Sequence, residues 1–360
     1  MEMALFYFLI LLLFSFAAMY FSFAPQVKIF EKSGNFTFFM QPILYIFIIY
    51  AFGTISAYYL GENNDFIAKP DILRVVLPLV CTIFIYVAGL FFGEKAKAFV
   101  LLLSIIGCVF LQPLEAKFVP FGINEYLFKI LAVIFFFVFC FYYKILNILP
   151  HTIFVVSTTM LIGVSLLSFV GGAPLYLAYV CALLIGSLCG FLGVNLHSLK
   201  IELDNLSCSI LAFLICNIFI LNISELSFSS CIIFTMLFWA ELALSIYNKF
   251  FVNEKGNLLE NSHLLAVAQK LTLNTLVSNL FKIGLVCMFF GWFQLFSINQ
   301  YSLPIISFFI VIWLDNSMGA NLLRTPKSLK QINSEFVADI KQNLKDTKES
   351  FSQIKNKKDN

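Results

Sequence analysis

Residues 183–213 read LLIGSLCGFLGVNLHSLKIELDNLSCSILAF. An apolar run ends at Gly193–Asn195, a short polar loop carries His197, Lys200, Glu202, Asp204 and Asn205, and the chain turns apolar again at Ser207. Backbone polar groups cannot be left unpaired in hydrocarbon, so segments of this kind cross a bilayer as helices. The stretch therefore reads as one helix leaving a membrane and a second returning to it. The polar loop between them is the first place to look for chemistry.

The rest of the chain extends that reading. Of its 360 residues, 61% are hydrophobic and 12% charged, against roughly a quarter charged in soluble proteins. Apolar runs of about the ~20 residues that span a bilayer recur throughout. They lie at 4–24, 38–60, 72–92, 98–114, 130–147, 152–170, 173–194, 207–222, 226–247, 273–298 and 302–319. The expected fold is thus an all-α polytopic membrane protein with about eleven transmembrane helices. Pro150 and its polar neighbours break the chain at Asn147–His151. The first run lacks a basic leader and a small-residue cleavage site, so it reads as a membrane helix. A net charge of +3 gives no nucleic-acid signal. The nine cysteines all fall in or beside apolar segments without a CxxC pair, which suits helix packing.

Lysine and arginine in short loops set orientation. Lys28, Lys32, Lys95, Lys97, Lys144, Lys200, Lys249, Lys255 and Lys270 fall on one side; Lys69, Arg74, Lys117 and Lys129 fall on the other. The richer side is assigned to the cytoplasm of a cell inner (cytoplasmic) membrane, with the N-terminus outside. His151, His197 and His263 then share the cytoplasmic face. Residues 115–129 form an external excursion, and 261–271 (NSHLLAVAQKL) an interfacial helix with Leu264, Leu265, Val267 and Leu271 on its apolar face. The transmembrane domain covers 1–322, and 323–360 form a cytoplasmic charged tail. There Leu329, Ile332, Phe336, Ile340, Leu344, Phe351 and Ile354 mark one stripe of an amphipathic helix among many lysines. That stripe suits anionic lipid or a protein partner.

Glu241, Lys282 and Asp315 lie inside apolar runs, where ionisable groups are costly and are usually paired or functional. Glu241 and Lys282, on consecutive spans, are expected to pair. The functional alternative is a polar wall or an ion path.

Gly190-Phe191-Leu192, Asn195, Lys200-Ile201 and the re-entry at Ser207 together resemble the signature loop of the polyprenyl-phosphate N-acetylhexosamine-1-phosphate transferases, glycosyltransferase family 4. Glu260-Asn261-Ser262-His263-Leu264-Leu265 resembles that family's His-rich loop. The resemblance implies transfer of a sugar-1-phosphate from a UDP-amino sugar to polyprenyl phosphate in cell-envelope glycan synthesis, with Mg²⁺ held by loop carboxylates. It assigns Asp204 and His263 to catalysis, Asn147, Asn195, Lys200 and Asn205 to substrate, and Glu94 and Asp204 to the metal. The sequence departs from the pattern at each carboxylate position. Phe92 and Gly93 stand where an Asp-Asp pair belongs, Pro150 where an Asp follows Asn147, and Asn205 where the central Asp belongs. These departures imply weakened or lost catalysis. Three functions follow as expectations: a transferase with a rebuilt site, a non-catalytic scaffold or regulator of an envelope-synthesis enzyme, or a membrane transporter or flippase.

Overall fold

A computed structural model describes residues 2–33, 41–62, 72–111, 124–147, 152–170, 175–195, 203–221, 228–249, 258, 262, 264, 267, 273–296 and 302–318. Its elements are α1 (Glu2–Ser33), α2 (Pro42–Glu62), α3 (Ile72–Phe110) and α4 (Glu125–Tyr142), which continues into a 3-10 turn (Tyr143–Asn147). Then come α5 (Thr152–Val170), α6 (Leu175–Asn195), α7 (Asn205–Leu221), α8 (Phe228–Phe234) and α9 (Met236–Tyr247). The last two are α10 (Leu273–Phe296) and α11 (Ser302–Met318).

Among the described residues, six helices are long and apolar enough to cross a membrane, or seven if the bent pair α8–α9 counts as one span. Shorter apolar helices lie at Pro42–Tyr58, Asn205–Ile220 and Ser302–Asp315. The protein is therefore an all-α, multi-pass membrane protein.

The long element α3 is a hairpin. Gly93 takes φ 82°, ψ −171°, a left-handed backbone that glycine adopts without a Cβ penalty. The arms 72–92 and 94–110 fold back on each other. A Cβ on Gly107 would lie 3.8 Å from Leu77, and Cys81 lies beside Cys108 and Ser104. Two expected spans thus become one antiparallel pair with Gly93 at its tip. The break expected at 147–151 is also present: the 3-10 turn ends at Asn147, α5 starts at Thr152, and the Thr152 hydroxyl donates to the Leu146 carbonyl. The run 226–247 is bent by 66° between α8 and α9. At that bend Thr235 donates to Cys231 O (2.9 Å) and accepts from Trp239 Nε1 (3.0 Å).

The centre of the bundle is α6, packed against α1, α2 and α5. Gly186 and Gly190, one turn apart, let α1 approach at backbone distance. A Cβ on Gly190 would stand 2.6 Å from Phe16 O, and one on Gly186 would overlap Ser15 and Leu12. This is small-residue packing of the kind that joins membrane helices. Ser15 Oγ adds a 3.4 Å bond to Ala182 O. Outward, Phe14, Phe21, Phe52, Phe91 and Trp313 are exposed; an apolar surface of this extent suits lipid. Leu264 and Val267, expected on an interfacial face, are buried within the protein.

Candidate functional site

Three breaks in the helices meet at one end of the bundle. The first is the α3 tip, where Gly93 turns the chain and Glu94 opens the returning arm. The second is the end of the 3-10 turn, where Asn147 Nδ2 donates to Leu203 O at 2.7 Å. The third is the start of α7, where Asn205 Nδ2 donates to Glu94 Oε1 at 2.7 Å. A Cβ on Gly89 would collide with Leu206, so a glycine there lets the α3 arm lie against the first turn of α7. Residues far apart in sequence are thereby held in one constellation.

Its electrostatics are set by Lys97. The ammonium lies 2.6 Å from Glu94 Oε2; Lys97 is 2% exposed, whereas Glu94 is 59% exposed. Their i,i+3 spacing places both on one helical face. In the sequence Lys97 reads only as a loop charge that sets topology, although this spacing is a signal for the pair. Asp204 acts locally: its Oδ1 accepts the Ser207 N–H at 2.8 Å, capping α7.

These residues do not fit a Mg²⁺ centre. A hard dication needs several oxygen ligands at once. Here one Glu94 oxygen is engaged by the Asn205 amide, the other by an ammonium, and the Asp204 Oδ1 oxygen by a backbone N–H. Among the described residues no group of three or more His, Cys, Asp or Glu is placed to hold a metal. His263, His197, Lys200 and Glu202 lie outside the described residues. Asn195 is the last residue of α6, and its side chain is likewise outside them.

An apolar cleft of about 140 Å³ opens beside this centre, lined by Ile43, Leu44, Phe47, Thr82, Ile83, Tyr86 and Ile210. At its edge the Tyr86 hydroxyl donates to Gln41 Oε1 at 2.6 Å, within electrostatic reach of Asp204.

The intramembrane charges form a second centre. Glu241 on α9 and Asp315 on α11 are each 0% exposed. Glu241 lies close to Asp315 and accepts the Leu264 N–H at 3.2 Å. Lys282 on α10 is exposed. This corrects the expected Glu241–Lys282 pair: the rotation of α10 turns Lys282 outward, and a neighbour of Glu241 is another carboxyl, that of Asp315. The second centre stands near the first, because α9 packs against the 3-10 turn that ends at Asn147.

No protein-family model and no curated protein matches this chain. The likeness to the transferases rests on the motifs at 190–207 and 260–265.

Proposed function

We propose that this is a non-catalytic relative of the polyprenyl-phosphate sugar-1-phosphate transferases, resident in the cytoplasmic membrane, that binds a long-chain lipid phosphate and serves an envelope-synthesis enzyme as partner or regulator. The observation that carries the reading is the saturation of Glu94 by Lys97 and Asn205. Where the resemblance asks for a dication between carboxylates, the chain supplies its own cation and an amide. Phosphoryl transfer between two anions draws on metal ions to neutralise the developing charge, and this arrangement offers no comparable ligand set. The meeting of the motif positions Glu94, Asn147 and Asn205 supports a shared ancestral site. The adjoining apolar cleft suits an isoprenoid chain, and Lys95, exposed at the α3 tip, suits its headgroup. Residues 323–360 suit the partner.

The test uses purified full-length protein in nanodiscs. A long-chain polyprenyl phosphate is expected to raise the melting temperature, and the neutral polyprenol of equal length to leave it unchanged. UMP exchange with a UDP-amino sugar in the presence of Mg²⁺ and the lipid is expected to be absent. Mg²⁺-dependent exchange, lost in Asp204→Ala, would restore the catalytic reading and overturn this one.

A further inference from the structure

α10 presents two unlike faces. On one, Leu280, Ile283 and Cys287 are buried, and glycines bring its neighbours close: a Cβ on Gly284 would overlap Thr159 of α5, and one on Gly291 would overlap Phe234 of α8. The Trp292 indole donates to Gly163 O of α5 at 3.0 Å. On the other face Ser278, Lys282, Leu285, Phe289 and Phe293 are exposed. Their steps of three and four residues make them one stripe along the helix. The stripe changes character along its length: polar and charged at Ser278 and Lys282, apolar from Leu285 onward.

The depth of that change follows from the register of α10 against α5. Gly284 meets Thr159, and a Cβ on Gly163 would stand 3.1 Å from Met288, so the two helices run in the same direction. Lys282 is therefore about level with Ser157. α5 begins at Thr152, roughly five residues earlier, or ~7.5 Å at the α-helical rise. Lys282 thus lies within about a turn and a half of the end where α5 starts, on the outside of the bundle. Cα–Cβ bonds in a helix tilt toward its N-terminus, and the N-terminus of α10 is at that same end. The lysine stem therefore sets out toward the membrane surface and carries its ammonium out of the hydrocarbon, where a charge is costly.

We propose that this face of α10 binds an anionic phospholipid, its phosphate on the Lys282 ammonium beside the Ser278 hydroxyl and its acyl chains along Leu285, Phe289 and Phe293. Charge selects the occupant. An ammonium at headgroup depth favours lipids of net negative charge over zwitterionic ones, and the apolar run that follows on the same face matches the chains of the same molecule. A second copy of the protein seated here in the same membrane orientation would set one Lys282 against another, a like-charge contact that disfavours self-association. The site does not rest on lipid-phosphate binding at the α3 tip, which uses other residues.

The test reconstitutes full-length protein in nanodiscs of phosphatidylcholine alone and of phosphatidylcholine with phosphatidylglycerol. Phosphatidylglycerol is expected to raise the melting temperature by roughly 2 °C or more. It is also expected to be retained over phosphatidylcholine when the protein is released for native mass spectrometry. Lys282→Gln is expected to cut that retention about fivefold, the worth of one lysine near a charged surface, and Lys282→Arg to keep it. A phosphatidylglycerol with a photoreactive group in its acyl chain is expected to label α10 between Leu285 and Phe293, a readout that needs no variant. Equal retention by wild type and Lys282→Gln overturns the proposal, as does labelling confined to other helices. A loss of stability in Lys282→Gln that is the same in neutral and anionic nanodiscs also overturns it, because the lysine then answers to a protein group rather than to lipid.

Discussion

Glu94 and Glu241 belong to one helical bundle and stand in opposite surroundings. Glu94 is more than half exposed, and its counter-charge is a buried lysine three residues along its own helix. Glu241 is buried, and its neighbour is a second acid from another helix. The first centre is closed: amide, ammonium and carboxylate satisfy one another. In the second, two buried carboxyls face each other across a helix contact, and a backbone N–H donates to one of them. A carboxylate in a membrane protein is thus informative through its partner, and the partner depends on how the helices are rotated.

Substitutions can break or sharpen this contrast. The largest effect is expected from Glu94→Ala, which strands the Lys97 ammonium in the interior. Breaking a buried pair in this direction costs on the order of 3 kcal/mol, measurable as a fall in unfolding free energy in mixed micelles. Asn205→Asp comes next: it sets a second carboxylate against Glu94, lowers stability by about 1–2 kcal/mol through like-charge repulsion, and is expected to create a stabilising response to Mg²⁺. Persistent insensitivity of this variant to Mg²⁺ would show that the closed centre cannot be reopened by charge alone. Asn147→Ala removes the bond to Leu203 O and is expected to cost about 1 kcal/mol, loosening the start of α7. The smallest effect is expected from Lys97→Met. It removes a desolvated charge, and the exposed Glu94 returns to water, so stability should shift by under about 1 kcal/mol in either direction. A loss from Lys97→Met equal to that from Glu94→Ala would rule out burial of the lysine as the source of the asymmetry.

The amino-acid sequence by itself determined that this chain is helical and crosses a membrane repeatedly, because apolar runs of bilayer length leave the backbone no other way to pair its polar groups. It also located the break before Thr152, whereas the bonds from Asn205 to Glu94 and from Asn147 to Leu203 came with the fold. Only the tertiary structure decided which runs lie inside. The membrane-length windows of α1 and α6 are similarly apolar, yet 11% of one and 83% of the other is buried. Lipid and protein interiors are alike to an apolar side chain, so hydropathy does not separate them; Gly186 and Gly190 do, by admitting α1 at backbone distance. Tertiary structure also chose Asp315 over Lys282 as the companion of Glu241. Each residue turns a helix by about 100°, and which face meets a neighbour is settled by the packing of the whole bundle.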